Sequence, residues 1–462
     1  MMPSRPIGRR VIASENCRLT NGFFRELRAV LVILAVIAVC GLAIAGWSPV
    51  RAQGLGPYDR SSAKEMLDAV KDDLKKNYYD AGFHAIDIDA TFKAAEDKLK
   101  QATTRDQLMI AIGQALLGLN DSHTFFLPPS RAAKFEYGWT MQMVGDKAYV
   151  KAVKPRSDAE VKGLKPGDAI LSVDGYQPSR ENIWKMYYRY YGLMPARSIH
   201  LTIQSPSESQ PRDVELMAKI EQGQAVTQLQ ELFVRYLREE WDIYHDRFYE
   251  SGKDLMIWQM PTFGVSEGHV DGLMGRAHKF KSLIIDLRGN GGGSVNALLR
   301  LLGYFFDHDV QVAIPKGRKE SKPLMAKTRG SDGFKGQLVV LVDDDSASAS
   351  ELFARVIQLE KRGTIIGDRT AGAVMEAKHY EHQSGVGRIL YFGTSVTVAD
   401  AIMSDGKSLE KVGVTPDELL LPTGADMAAR RDAVLSRAAA LVGVKLDPEK
   451  AGALFPPDWK NQ

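Results

Sequence analysis

Between Pro57 and Leu119 apolar residues recur at helical spacing: Met66, Leu67, Val70 and Leu74, then Phe92, Ala95 and Leu99, then Leu108, Ile112, Ala115 and Leu116. The pattern predicts helices, the last opened by a capping box from Thr104 to Gln107. It ends at "LNDSHTFFLPP", where Asn120, Asp121 and a proline pair stop it, so Ser122 and His123 are expected on a helix exit or loop. From Phe135 to Ile220 the period shortens to strand-like runs divided by turns: "TMQMVGDKAYVKAV", "GLKPGDAILSVDG" and "SIHLTIQSP". A polar, aromatic, helix-like stretch follows, "LQELFVRYLREEWDIYHDRFY". Beyond it, apolar runs ("DLMIWQM", "SLIIDLRG", "QLVVLVD", "GTIIGD") alternate with helical stretches ("HVDGLMGRAHKF", "VNALLRLLGYFF", "SELFARVIQLEKR"). Continuous apolar strands separated by helices predict a parallel sheet with crossovers, hence an α/β core.

A chain of 462 residues, 44% hydrophobic and 25% charged, has material for two or three domains. The divisions expected are a signal peptide or anchor over 1–52, an N-terminal helical segment over 55–130, a small β domain over 135–220, the α/β core over 225–445 and a peripheral tail over 446–462. In the first of these, arginines at 5, 9, 10, 18, 25 and 28 run into the apolar stretch Ala29–Trp47 and then "SPVRAQG". That is the layout of a secretory leader cleaved after Ala52; the alternative is an uncleaved anchor, with membrane association through 29–47. Either way the remainder is expected outside the cytoplasm, in the periplasm or its equivalent. Both cysteines, Cys17 and Cys40, lie in the leader, which leaves the rest without a thiol nucleophile or disulfide. The net charge of +3 with dispersed basic residues argues against a nucleic-acid partner.

In an open α/β sheet, sites form beyond the carboxyl ends of the strands. Two stretches lie there. "DLRGNGGGSV" places Gly291, Gly292 and Gly293 between a strand and a helix, where backbone N–H groups can converge on an anion; it lacks the lysine of a P-loop. "LVDDDSASASELFARVIQ" offers Ser346, Ser348 and Ser350. Ser348 stands three residues before Glu351, so it reads equally as a helix cap and as a nucleophile at the positive end of a helix. Asp343, Asp344 and Asp345, being consecutive, are expected to point apart. His379 and His382 could share a helix face, but no third ligand accompanies them, so neither a metal nor another cofactor is expected.

"SDAEVKGLKPGDAILSVDGYQ" resembles the PDZ domain, which binds an extended peptide as an added strand. That resemblance puts a peptide-binding edge at Gly138, Trp139, Thr140 and Met141. "LIIDLRGNGGG", the triple-serine stretch, "TIIGDRTAGA" and "LEKVGVTPD" together resemble the tail-specific, or C-terminal processing, serine peptidases and their tricorn-core relatives. The resemblance implies a ClpP/crotonase-like α/β core with an inserted PDZ domain, a nucleophile at Ser348, and oxyanion donors at Ala349 and at Gly292 or Gly293. It also marks a departure. The family's Gly-Glu-x-Thr-x-Gly-Lys motif reads Gly367 to Ala373 here, with Ala377 in place of the later glutamine, so a Ser-Lys dyad at those positions is excluded. "NDSH" resembles instead the Ser-His pair of tricorn-type relatives, which implies His123 as base, oriented by Ser122 and Glu410. The expectation is an exported serine endopeptidase acting on polypeptides, losing activity as pH falls through about 6.5. A catalytically silent peptide- or ligand-binding protein of the same fold is the alternative.

Overall fold

The computed structural model describes residues 54–131, 133–222, 246–385 and 389–457. The expected leader, both cysteines and most of the aromatic stretch before Arg247 lie outside the described residues. Helices α1 (Asp59–Asn77), α2 (Ile88–Gln101) and α3 (Arg105–Leu117) follow the apolar spacing, and the capping box closes as Gln107 N–H donates to Thr104 Oγ1 at 3.3 Å. The chain turns out of α3 through Asn120, whose φ of 53° suits asparagine better than most residues. Met66, Val70, Phe92, Leu108 and Ile112 do not close a core among themselves. They share it with Phe126 of β1 (Phe125–Leu127) and with Phe392 and Val396 further along the chain.

Between β2 (Ala133–Glu136) and its later partner, five strands form an antiparallel sheet in chain order: β3 (Trp139–Val144), β4 (Lys147–Val153), β5 (Ala169–Val173), β6 (Ser198–Gln204) and β7 (Arg212–Met217). A short α4 (Asp158–Val161) follows β4, and α5 (Ile183–Tyr187) runs on into a π-helical turn, Tyr188–Leu193. β8 (Lys219–Gln222) pairs with β2 and brings the entry and exit of this unit together. The turn glycines sit where a side chain would be strained: Gly163 at φ 74° and Gly175 at φ 81°.

The remainder holds β9 (Arg247–Ser251), β10 (Leu255–Gln259), α6 (Glu267–Ala277), β11 (Ser282–Asp286), α7 (Val295–Leu302), β12 (Val310–Gly317) and β13 (Leu324–Ala326). It continues with β14 (Gln337–Val342), α8 (Ala349–Leu359), β15 (Thr364–Gly367), β16 (Met375–Ser384), β17 (Leu390–Met403) and β18 (Glu418–Leu419). Three helices close it: α9 (Gly424–Ala428), α10 (Ala433–Leu441) and α11 (Pro448–Ala453). The sheet β18-β15-β14-β11-β10-β9 is parallel except at β9, as the apolar runs predict. One face packs on α6, α7 and α8, and the other on α10 and α11, so its strands are buried on both sides.

Four readings of the sequence change. Residues 247–249, read as helical, belong to β9. The tail from Leu446 is not peripheral in its described part, because Leu446 and Ala451 are buried beneath the parallel sheet beside Leu255 and Ile257. A second, antiparallel sheet, β1-β17-β12-β13 with β16 paired to β17, was not foreseen. It places His379 and His382 on strand β16, an odd number of positions apart and hence on opposite faces. His382 bonds Asp73 at 2.6 Å and stacks on Phe392, which accounts for it without a metal.

Candidate active site

The stretch after β14 turns abruptly into α8, and the three serines separate there. Ser346 Oγ donates to the Leu287 carbonyl at 2.8 Å and Ser350 Oγ to the Asn290 carbonyl at 2.9 Å; both side chains are buried ties to the glycine loop. Ser348 is half-buried at the N-cap of α8. Its backbone sits at φ 55°, ψ −116°, a conformation that costs a β-carbon-bearing residue on the order of 1–3 kcal/mol. Neighbours hold it there. Ser348 N–H donates to the Ala373 carbonyl at 3.0 Å and to Glu351 Oε2 at 3.1 Å. A β-carbon on Gly292, at φ 101°, would lie 2.7 Å from Ser348 Cβ, so only glycine lets the loop approach this closely. Gly292 N–H is bonded to Asn290 Oδ1 at 2.9 Å. Its carbonyl and Ser294 N–H pair with Phe263, which turns the Gly293 N–H away from that bridge. Ala349 N–H, at the first position of α8, is one of the donors an α-helix leaves unpaired.

Glu351 is the residue sequence reasoning undervalued. Its buried carboxylate accepts from Ser348 N–H, from Thr370 Oγ1 at 2.5 Å, from Gly372 N–H at 2.8 Å and from Ala373 N–H at 2.9 Å. Burial pushes its pKa up to about 7 against the pull of those four donors. The signal was present, since glutamate three residues into a helix marks a capping box, but its bonds to residues 370–373 were invisible.

His123 leaves α3 on the expected turn. Its Nδ1 lies 2.6 Å from Ser122 Oγ, which donates to Glu410 Oε2 at 2.9 Å, while Ser122 N–H donates to Glu410 Oε1 at 3.0 Å. Glu410 Oε2 also accepts from Val374 N–H at 2.9 Å, next to the Ala373 that bonds Ser348. A continuous set of hydrogen bonds thus links Ser348, residues 373–374, Glu410, Ser122 and His123. Among the described residues, no hydrogen bond joins the imidazole to Ser348 itself. The residue is half-buried, with its ring surrounded by protein. That burial pushes its pKa down to about 4, with nearby His379 adding to the effect and Asp121 opposing it, so the imidazole is neutral at pH 7. Burial also raises the Glu410 carboxyl. A cleft of about 520 Å³ opens beside these groups, lined by Ser122, Trp184, Asp344, Ala347, Thr370 and Glu410 among others.

Two sequence expectations are corrected here. The three consecutive aspartates do not diverge: the chain has left the strand, and one oxygen from each of Asp343, Asp344 and Asp345 comes within 4.8 Å of the others. Lys151 of β4 meets this charge at 2.7 Å from Asp345. The edge expected to receive a peptide is closed. β3 is the terminal strand of its sheet, with Gly138 turning into it and Trp139 and Thr140 paired to β4. Yet Met141 N–H donates to the Tyr187 hydroxyl at 3.2 Å, that hydroxyl donates to the Met141 carbonyl at 2.6 Å, and Met143 N–H donates to Asp344 Oδ2 at 2.6 Å. Between β3 and α5 only about 10 Å³ stays open.

Residues 257–420 match the profile of Peptidase family S41. The chain is 26% identical over 347 residues to the tail-specific protease of Haemophilus influenzae, covering 70% of this chain and 47% of that one. It is 26% identical over 331 residues to the carboxy-terminal-processing protease of Bartonella bacilliformis, covering 68% and 69%. It thus spans about half the length of the first relative and about two thirds of the second. Among solved structures, mature CPAF superposes with a TM-score of 0.61 at 16% identity, covering 80% of this chain and 94% of that one, which is a likeness of fold. With the matched segment running from the second strand of the parallel sheet to its last, and carrying the Ser348 turn, residues 257–420 form a Peptidase family S41 domain.

Proposed function

We propose that the protein is an exported endopeptidase that cuts polypeptides with Ser348 as nucleophile and His123 as general base. The observation that carries the reading is the bond set from Glu410 through Ser122 to His123 Nδ1, which joins residues 288 positions apart in the chain. Such a set fixes which imidazole nitrogen faces the nucleophile and stabilises the cation formed when the base takes its proton. Ser348 Oγ attacks the scissile carbonyl carbon and passes its proton to His123 Nε2. The oxyanion then sits before the N–H of Ala349 and the N–H of Gly293, since Gly292 N–H is committed to Asn290. Collapse of the intermediate breaks the C–N bond as His123 returns the proton to the leaving amine, and water repeats the sequence on the acyl-enzyme. The unit over 135–220 acts as a PDZ domain, and its peptide edge becomes available only when Tyr187 and Asp344 release β3.

A fluorophosphonate probe with casein as substrate tests this. Labelling and cleavage are expected in the natural protein and absent in Ser348→Ala, with labelling slowed in His123→Ala; cleavage that survives Ser348→Ala refutes the nucleophile. One observation favours a second reading, a catalytically silent binder: the imidazole and Ser348 are not hydrogen-bonded. That reading predicts no labelling at Ser348.

A further inference from the structure

A second cavity, of about 500 Å³, begins at Ser122 and is separate from the polar cleft, although the two share Ser122, Trp184 and Tyr187. One wall is β1, which starts two residues after His123 and contributes Phe125. The other is α5 with its π-helical turn, which contributes Trp184, Tyr187, Tyr188 and Tyr191. The walls are stiffly supported. Tyr188 donates its hydroxyl proton to the Phe126 carbonyl at 2.5 Å and sets its ring edge-on to Phe125, with centroids 5.9 Å apart. At the end of the turn, Leu193 is buried among the N-terminal helices, so close to α3 that a β-carbon on Gly113 would lie 2.8 Å from it. Tyr191 nonetheless remains 50% exposed, and Trp184 and Phe125 are half-buried. A cluster of rigid, incompletely covered aromatic rings in a concave site is the usual make-up of a pocket for an apolar group.

We infer that this cavity is a specificity subsite that takes a large apolar side chain, aromatic or branched aliphatic, from the substrate residue on the leaving-group side of the scissile bond. The inference rests on the proposed function. In that chemistry His123 hands its proton to the leaving amine, so the residue bearing that amine passes the imidazole. Ser122, bonded to that imidazole, lines the cavity, and the side chain of the amine-bearing residue is assigned to it on this ground. Among the described residues no carboxylate lines the cavity, whereas Arg131 and Lys134 do, so a lysine or arginine side chain would lose its hydration there and meet like charge.

The test uses internally quenched peptides of one sequence that differ only at the first residue after the cleaved bond: Ala, Leu, Phe or Lys. With the natural protein, kcat/KM for Phe is expected to exceed that for Ala by roughly 10- to 100-fold, with Lys poorest. Trp184→Ala is expected to reduce the Phe/Ala ratio to within about threefold, the scale of one weak contact. Ser348-dependent cleavage that is indifferent to this residue, or a Phe preference that survives Trp184→Ala, overturns the subsite and leaves the proposed function standing. Should no peptide be cut, the proposed function fails. The subsite is then judged by anisotropy of the same labelled peptides on Ser348→Ala protein: tighter binding of Phe than of Ala supports it, and equal binding overturns it.

Discussion

Glu351 offers the most quantitative test of how the nucleophile turn is held. Replacing it by alanine strands three donors in a buried site, Thr370 Oγ1, Gly372 N–H and Ala373 N–H, and leaves Ser348 N–H with the Ala373 carbonyl alone. At about 1–3 kcal/mol for each donor left unpaired, less whatever water recovers, the loss reaches several kcal/mol, a large part of a typical domain's stability. Glutamine keeps the shape but turns an NH₂ toward two of those donors, so it is also destabilising. It removes the charge as well, and that gives a pH signature. The carboxyl titrates near 7 in the folded protein, against about 4.3 unfolded. Between those values the folded state binds more proton than the unfolded, so stability falls as pH rises and the whole cost of burying the charge is present above pH 7. From pH 5 to pH 8 this one group removes about 2–3 kcal/mol from the natural protein and nothing from Glu351→Gln. Other groups, His123 included, titrate alike in both and cancel in the difference. Urea unfolding of the two proteins at pH 5 and pH 8 should therefore give a stability gap about 2–3 kcal/mol wider at pH 5. An equal gap at both pH values refutes the picture of a charge held against burial.

A base whose pKa is pushed down to about 4 stays neutral through mild acid, so the acid limb of kcat/KM is expected near pH 4, not at the 6.5 of a free histidine; a limb at 6.5 in a stopped assay would show that burial does not control the imidazole. Glu410→Gln removes the charge that orients Ser122 and is expected to lower kcat by about 10²- to 10⁴-fold, measured by single-turnover cleavage, and to lower stability as well, since its NH₂ must face Ser122 N–H or Val374 N–H. Activity within a factor of two of the natural protein would exclude Glu410 from the set. Tyr187→Phe deletes the hydroxyl that caps both polar groups of Met141, so an extended peptide should bind the β3 edge more tightly, read by anisotropy; weaker binding would mean that Tyr187 serves the peptide instead of excluding it.

The parallel sheet was legible because buried strands must be apolar on both faces, and "SLIIDLRG" and "QLVVLVD" have few other ways to satisfy that. The antiparallel hairpin of β16 and β17 was not. "EAKHYEHQS" is mostly polar, since one face is solvated, and its two histidines mimic a helical spacing. The capping box at Thr104 was equally plain, being three residues of local geometry. At Ser348 the same local rule reads Glu351 turning its carboxylate back on the turn, but not that this carboxylate also braces residues 370–373.

What the sequence by itself determined is local: strand and helix periods, the glycines whose φ no other residue tolerates without strain, and the choice of Ser348 through motifs that resemble a family. Only the tertiary structure decided that Ser346 and Ser350 are consumed in holding the glycine loop, that Asp344 reaches out to cap β3, and that Glu410 meets Ser122. The physical reason is separation along the chain. Hydrogen bonds and burial act over a few ångströms in space, and the residues that set the charge of His123, close the peptide edge and brace the turn at Ser348 come from segments that only packing brings together.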